Sequence, residues 1–105
     1  MKEINVQELK ELMDQSTDFQ LIDVREQHEF KICNLNGELI PMGEIPHRVE
    51  KVSKDKQVVI HCRSGVRSAD VIRYLEQNHG YDNLYNLVGG VLAWSDQIDP
   101  TMPKY

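Results

Sequence analysis

Apolar residues recur along this chain at two different spacings, one typical of helices and the other of buried strands. Strands are predicted over residues 19–24, 39–40, 58–60 and 84–87. Helical spacing is carried by Val6, Leu9, Leu12 and Met13, by Ile45, Val49 and Val52, by Ala69, Ile72 and Leu75 within 67–79, and by Val91, Trp94 and Ile98. This alternation predicts an α/β fold with a small, mostly parallel sheet flanked by helices.

Local signals refine these elements. Asn5 can cap the first helix together with Glu8, and Pro46 suits the first turn of the second helical segment. Gly80 is placed to end the helix that precedes it. The β-branched run 58–60 is uninterrupted, which is typical of a central strand buried on both faces.

Length, charge and cysteine content narrow the class of protein. The 105 residues fit one domain spanning 1–105. Seventeen acidic residues against twelve Lys and Arg give a net charge of −5, which disfavours nucleic acid and acidic lipid as partners. The sequence starts without an apolar leader, no apolar run reaches membrane-spanning length, and two cysteines are too few for a disulfide framework. We therefore expect a reduced, cytoplasmic setting.

The most informative segment follows the predicted central strand and reads His-Cys-Arg-Ser-Gly-Val-Arg-Ser over 61–68. A thiol at a turn from strand to helix faces amide N–H groups that have no partner within the helix. Gly65 lets the backbone curl around the sulfur of Cys62, and Arg63 and Arg67 add positive charge. We expect the pKa of Cys62 to be lower than that of a free cysteine, as a nucleophile requires.

Two other interpretations of this cysteine stay open. Cys62 could be a small apolar residue that serves packing alone. A cysteine phosphatase is the other, but its loop normally places five residues between cysteine and arginine, whereas four separate Cys62 from Arg67. The tighter ring is better matched to one sulfur atom, and a thiolate or sulfite leaving group needs little protonation. The loop therefore favours sulfur transfer.

Four motifs together resemble the single-domain rhodaneses, a family of sulfurtransferases. They lie at 21–30 (Leu-Ile-Asp-Val-Arg-Glu-Gln-His-Glu-Phe), 36–41 (Asn-Gly-Glu-Leu-Ile-Pro), 62–67 and 89–94 (Gly-Gly-Val-Leu-Ala-Trp). The resemblance implies a rhodanese-like fold and a reaction in which Cys62 takes a sulfane sulfur from a donor and passes it on to a nucleophilic acceptor. It also implies a covalent persulfide with no separate cofactor, held by loop amides of Arg63, Ser64, Gly65, Val66 and Arg67.

Segments 31–36, 39–46 and 98–105 are more closely similar to the C-terminal rhodanese domain of adenylyltransferase and sulfurtransferase fusions of the molybdopterin-synthase sulfurylase type. This similarity implies thiosulfate or a protein persulfide as donor and a ubiquitin-like sulfur carrier as acceptor, in the service of molybdopterin, thiamine or tRNA thiolation. A non-catalytic or regulatory interaction domain is the alternative, although such a domain would more often lack the cysteine.

The remaining candidate residues are expected to support the loop. The family resemblance puts Asp23 and Arg25 beside it in a structural role, the other interpretation being an exposed ion pair of little consequence. Cys33 is expected to be a buried or inert thiol rather than a resolving cysteine. His61 should point to the face opposite Cys62, and the four histidines share no metal-ligand spacing, so no metal site is predicted.

The two loop arginines are expected to do different work. Arg63 should project toward the mouth of the site and attract an anionic donor. Arg67, at the start of the helix, should brace the loop and offset the charge of the Cys62 thiolate. Trp94 is expected to anchor the core.

Overall fold

The computed structural model describes residues 1–105 as alternating strands and helices. The strands are β1 (Lys2–Ile4), β2 (Gln20–Asp23), β3 (Glu38–Leu39), β4 (Val58–His61) and β5 (Leu84–Leu87). The α-helices are α1 (Val6–Asp14), α2 (Gln27–Ile32), α3 (Val66–His79) and α4 (Gly90–Gln97). Two 3₁₀ helices, Met42–His47 and Val49–Lys51, lie between β3 and β4.

The five strands form one sheet in the order β1-β5-β4-β2-β3, and every neighbouring pair is parallel. The predicted α/β class is confirmed, and the sheet is wholly rather than mostly parallel. β4 occupies the centre, and all four of its residues are buried, as predicted for the β-branched run. Because the strands are parallel, their carboxyl ends meet at one edge of the sheet.

Each face of the sheet carries its own apolar core. One core joins alternate residues of β2 and β4, including Ile22 and Ile60, to the inner side of α3 and to the first 3₁₀ helix. The other joins Val59 of β4 to α1 and α4, with Trp94 packed at its border as a partly buried anchor. Alternate side chains of β4 therefore serve opposite faces, which decides where the next residue, Cys62, must point.

Two of the predicted helix signals, those at Asn5 and Gly80, hold in the structure. Asn5 caps α1 through its side chain, which accepts from the amide of Glu8 at 2.8 Å, and Glu8 returns a bond to the Asn5 amide. Gly80 ends α3 in the left-handed region, with a φ of 68°. These contacts involve residues three to five positions apart, which is why the local sequence predicts them.

Three features differ from the sequence expectations. β1 and α2 were not predicted, because β1 buries only Ile4 and α2 is a six-residue helix. The segment expected to be a helix around 45–52 forms two 3₁₀ helices instead, with Pro46 inside the first. In α3, Ser68 and Val71 turn inward with Ile72 and Leu75, while Ala69 is only half-buried. No helix is both long enough and apolar enough to cross a lipid bilayer.

Candidate active site

Cys62 lies at the carboxyl edge of the sheet, in the turn that joins β4 to α3. Its side chain points to the α3 face, and only 1% of the residue is exposed. Parallel α/β sheets form their sites at this edge, because the loops that follow the strands converge there. The sulfur is thus enclosed by the loop rather than exposed at the surface.

Hydrogen-bond donors surround the sulfur. The amide of Gly65 lies 3.1 Å from Sγ and the amide of Ser68 lies 3.4 Å from it. The Ser68 hydroxyl oxygen is also 3.4 Å from Sγ. Burial by itself raises the pKa of Cys62, but hydrogen bonds from the Ser68 hydroxyl and from the amides of Ser68, Gly65 and Ser64 outweigh it, so the net pKa is lowered.

The pKa of Cys62 is lowered, as expected, and one of the two expected causes predominates. The largest causes that favour the thiolate are hydrogen bonds, rather than the charges of Arg63 and Arg67. The turn is tight enough that the amides of Gly65 and Ser68 both point at the same sulfur atom. Gly65 makes this curl with a φ of 108°, a conformation that side chains with a Cβ rarely adopt.

The amino end of α4 holds the loop from behind. The amide of Val91 donates to the carbonyl of Cys62 at 3.0 Å, and the amide of Leu92 donates to the carbonyl of Arg63 at 3.1 Å. Gly90 packs directly on these carbonyls: a Cβ at this position would lie 2.4 Å from the oxygen of Cys62. Pinning the carbonyls outward leaves the loop amides free to face Sγ.

A buried polar network continues from the sulfur into the sheet. The Ser68 hydroxyl donates to Oδ1 of Asn86 at 2.5 Å, and Nδ2 of Asn86 donates to the carbonyl of Gly65 at 3.1 Å. Asn86 is in register with Ile60 across the β4–β5 ladder. Cys62 lies two residues after Ile60 and points to the same face, so the Asn86 side chain emerges on the face of the sheet that carries Cys62. Neither Ser68 nor Asn86 was a candidate from the sequence, because their contact joins positions 18 residues apart.

Arg67 is bound to Glu29, which no sequence pattern marked as a candidate. Both terminal nitrogens of Arg67 bond the carboxylate of Glu29 on α2, at 2.8 and 2.9 Å. The hydrogen bond from Arg67 lowers the pKa of Glu29 to about 2, against the opposing effect of burial. Arg67 therefore ties the start of α3 to α2. Arg63 is exposed, and its side chain takes part in no hydrogen bond or ion pair in the structure.

Asp23 and Arg25 form a fully buried ion pair at the end of β2, not an exposed one. Arg25 also donates to the carbonyl of Cys33 at 2.7 Å, so the pair fixes the segment that follows α2. Cys33 itself is buried, as expected. Nε2 of His61 lies 3.7 Å from the Asp23 carboxylate, and neither His61 ring nitrogen has a hydrogen-bond partner.

His61 confirms the predicted alternation, since it points away from the Cys62 face toward Asp23. The ring is fully buried and is held by packing, because neither of its nitrogens has a hydrogen-bond partner. Burial lowers the pKa of His61. No group of three or more His, Cys, Asp or Glu side chains is arranged to hold a metal ion.

Comparison with known proteins decides the family. The model of the rhodanese-like domain matches residues 5–97. The chain belongs to the rhodanese-like family. A sulfurtransferase of Allochromatium vinosum is 38% identical over 96 residues, which cover 90% of this chain and 89% of that protein. The expectation of a rhodanese-like sulfurtransferase is thereby confirmed at the level of the family.

Solved structures of the rhodanese-like family share the fold. The rhodanese-like domain protein of Staphylococcus aureus has a TM-score of 0.82 and 40% identity, with 93% of this chain and 95% of that chain covered. A longer relative is the adenylyltransferase and sulfurtransferase uba4 of Ogataea parapolymorpha, which is 33% identical over 87 residues. This chain corresponds to 22% of that protein's length.

Proposed function

We propose that this rhodanese-like protein transfers a sulfane sulfur from thiosulfate or a protein persulfide, through a persulfide on Cys62, to a nucleophilic acceptor. The observation that carries the proposal is the setting of Sγ: a buried sulfur that accepts from the amides of Gly65 and Ser68 at the start of a helix. Donors already in place around the sulfur stabilise negative charge without reorganisation during the reaction.

The transfer consists of two successive displacements at sulfur. In the first, the electron pair of the Cys62 thiolate forms a bond to the sulfane sulfur, the bond within the donor breaks, and its electron pair leaves on sulfite or on the donor thiolate. The new persulfide carries its negative charge on the outer sulfur. In the second, an acceptor nucleophile attacks that outer sulfur and the electron pair returns to Sγ. Loop amides that are free of other partners can hold the charge in both states.

Arg63 supports the choice of an anionic donor. Its cation is exposed and adjacent to the nucleophile, so it can attract an anion such as thiosulfate. For the acceptor, the relationship to fusion proteins that join adenylyltransferase and sulfurtransferase activities supports a ubiquitin-like sulfur carrier as the recipient of the sulfur, with molybdopterin, thiamine or tRNA thiolation as the destination.

Mass spectrometry of the intact protein tests the proposal directly. After treatment with thiosulfate, one added sulfur should map to Cys62, and cyanide should remove it as thiocyanate. Cys62→Ser should abolish both, whereas Cys33→Ser is the matched control, because the buried Cys33 sulfur contacts Arg25 and the carbonyl of Pro103 rather than the loop of Cys62. Added sulfur on Cys33 would overturn the assignment of the nucleophile.

The same preparation separates the alternatives. A cysteine phosphatase would hydrolyse an aryl phosphate, and an interaction domain would take up no sulfur from either donor. Steady release of phosphate, or a Cys62 thiol that stays unmodified in the presence of thiosulfate and of a persulfidated protein, would refute sulfur transfer.

A further inference from the structure

The buried pair of Ser68 and Asn86 has a fixed direction of hydrogen bonding. The carbonyl of Gly65 can only accept, so the group of Asn86 that faces it at 3.1 Å must be the NH₂ group. The Asn86 carbonyl oxygen therefore faces Ser68, and the Ser68 hydroxyl must be the donor in their 2.5 Å contact. Asn86 is 6% exposed and Ser68 is fully buried, so water does not compete for these bonds.

A hydroxyl group carries one proton, and two acceptors lie within its reach. Oδ1 of Asn86 is at 2.5 Å and Sγ of Cys62 is at 3.4 Å from the Ser68 oxygen. While the proton points to Asn86, Ser68 can only accept from the sulfur, which suits the neutral thiol. When Cys62 ionises, the thiolate needs that proton, and rotation of the hydroxyl leaves Oδ1 of Asn86 buried without a donor.

We infer that Asn86 is a positioning residue that competes with the Cys62 thiolate for the single proton of the Ser68 hydroxyl, and so restrains the reactivity of the nucleophile. The sulfur-transfer part of this inference rests on the proposed function. In the persulfide, Sγ is bonded and the negative charge lies on the outer sulfur, so the hydroxyl returns to Asn86. Asn86 thereby favours the thiol and the persulfide over the bare thiolate.

A double-mutant cycle isolates the competition. Asn86→Leu keeps most of the volume and removes the acceptor, and Ser68→Ala removes the contested proton. The readout is the rate of iodoacetamide alkylation of Cys62 across pH, in single and double variants. Losing the Asn86 bond to Gly65 affects the rate with and without Ser68, so that part cancels in the comparison.

The expected result is a coupling greater than one. Below the midpoint of the titration, Asn86→Leu should raise the alkylation rate about tenfold more when Ser68 is present than when it is alanine, which is the size of one hydrogen bond to a charged group. A coupling of one would mean that Asn86 only braces the loop. A coupling below one would mean that Asn86 aims the hydroxyl at the sulfur. Either outcome overturns the inference.

A second substitution covers the case in which Asn86→Leu fails to fold. Asn86→Ala also removes the acceptor of the Ser68 proton, and its smaller side chain fits the same space, so it should raise the alkylation rate more with Ser68 than without it. A coupling of one or less for this variant overturns the inference. Asn78→Leu, on the exposed side of α3, is the matched control and should leave the titration unchanged.

These measurements stand apart from the proposed function. Alkylation reports the Cys62 thiolate whether or not the protein transfers sulfur. If no added sulfur is found on Cys62 while the coupling has the expected sign, sulfur transfer fails and the competition between Asn86 and Cys62 survives.

Discussion

Gly90→Ala perturbs the Cys62 loop from the helix behind it, without touching a side chain of the site. The added Cβ would lie 2.4 Å from the carbonyl oxygen of Cys62 and 2.6 Å from that of Arg63, whereas real Cβ contacts stay beyond 3.0 Å. Both carbonyls must therefore retreat by roughly half an ångström. The amides of Val91 and Leu92 donate to these two carbonyls, so the same movement weakens both bonds.

The cost has two parts. A side chain at the left-handed φ of 54° costs about 1 kcal/mol, and overpacking against the loop adds roughly 1–3 kcal/mol. Because the loop amides then face Sγ less well, kcat for thiosulfate and cyanide should fall on the order of tenfold. Urea titration measures the first effect, and thiocyanate formation measures the second.

Gly80→Ala supplies the matched control for this prediction. Gly80 also has a positive φ, of 68°, but nothing lies within 4 Å of the Cβ that alanine would add. It should lose about 1 kcal/mol of unfolding free energy and keep its activity. If Gly90→Ala costs no more stability than Gly80→Ala, and the alkylation profile of Cys62 is unchanged, then α4 does not hold the loop in place.

Three further predictions concern the charged groups around the loop. Arg67→Ala leaves the Glu29 carboxylate unpaired, so it should lower the free energy of unfolding by about 2 kcal/mol, which is less than for a fully buried pair because the Arg67 side chain is one-third exposed. It should also raise the pKa of Cys62, and an unchanged alkylation profile would contradict this. The pKa of Glu29 falls from 4.5 to about 2 on folding, so the stability that its carboxylate contributes is present above pH 4.5 and is lost as the pH drops toward 2. Acid titration of Glu29→Gln should lack that loss of stability, and a curve of stability against pH parallel to that of the wild type would contradict the prediction. Arg63→Ala should raise the KM for thiosulfate several-fold at low ionic strength with little change in kcat, because an exposed cation attracts the anion before the reaction; a loss confined to kcat would instead assign Arg63 to the chemical step.

The elements predicted from sequence are those whose evidence lies within one element. α1 has its apolar stripe and both partners of its capping box inside nine consecutive positions, and β4 is a continuous apolar run. β1 escaped prediction because its backbone partners are on β5, with Lys2 opposite Tyr85. A three-residue edge strand forms only when it can form hydrogen bonds with a neighbouring strand, and the local sequence gives no sign of that pairing.

The candidate site divides in the same way. The position of Cys62 at a turn from strand to helix, and the need for Gly65 to curl around it, follow from consecutive residues. The pairing of Arg67 with Glu29 does not, because 38 residues separate them. A pattern of Glu26 and Glu29 at the start of α2 could have signalled a helix there, since the two residues form a capping box. That signal would still have left the partner of Glu29 unknown.

The sequence by itself determined the fold class, the central strand and the position of Cys62 in a turn from strand to helix, because periodicity, turn residues and a helix start depend on neighbours within about one turn. Only the tertiary structure decided what surrounds the sulfur. The parallel register of β4 and β5 brings Asn86 to the Cys62 face, and the packing of α4 sets Gly90 against the loop carbonyls. These contacts join residues far apart in the chain and form only once the strands and helices between them have packed. They therefore produce no repeat or regular spacing that could be recognised in the sequence.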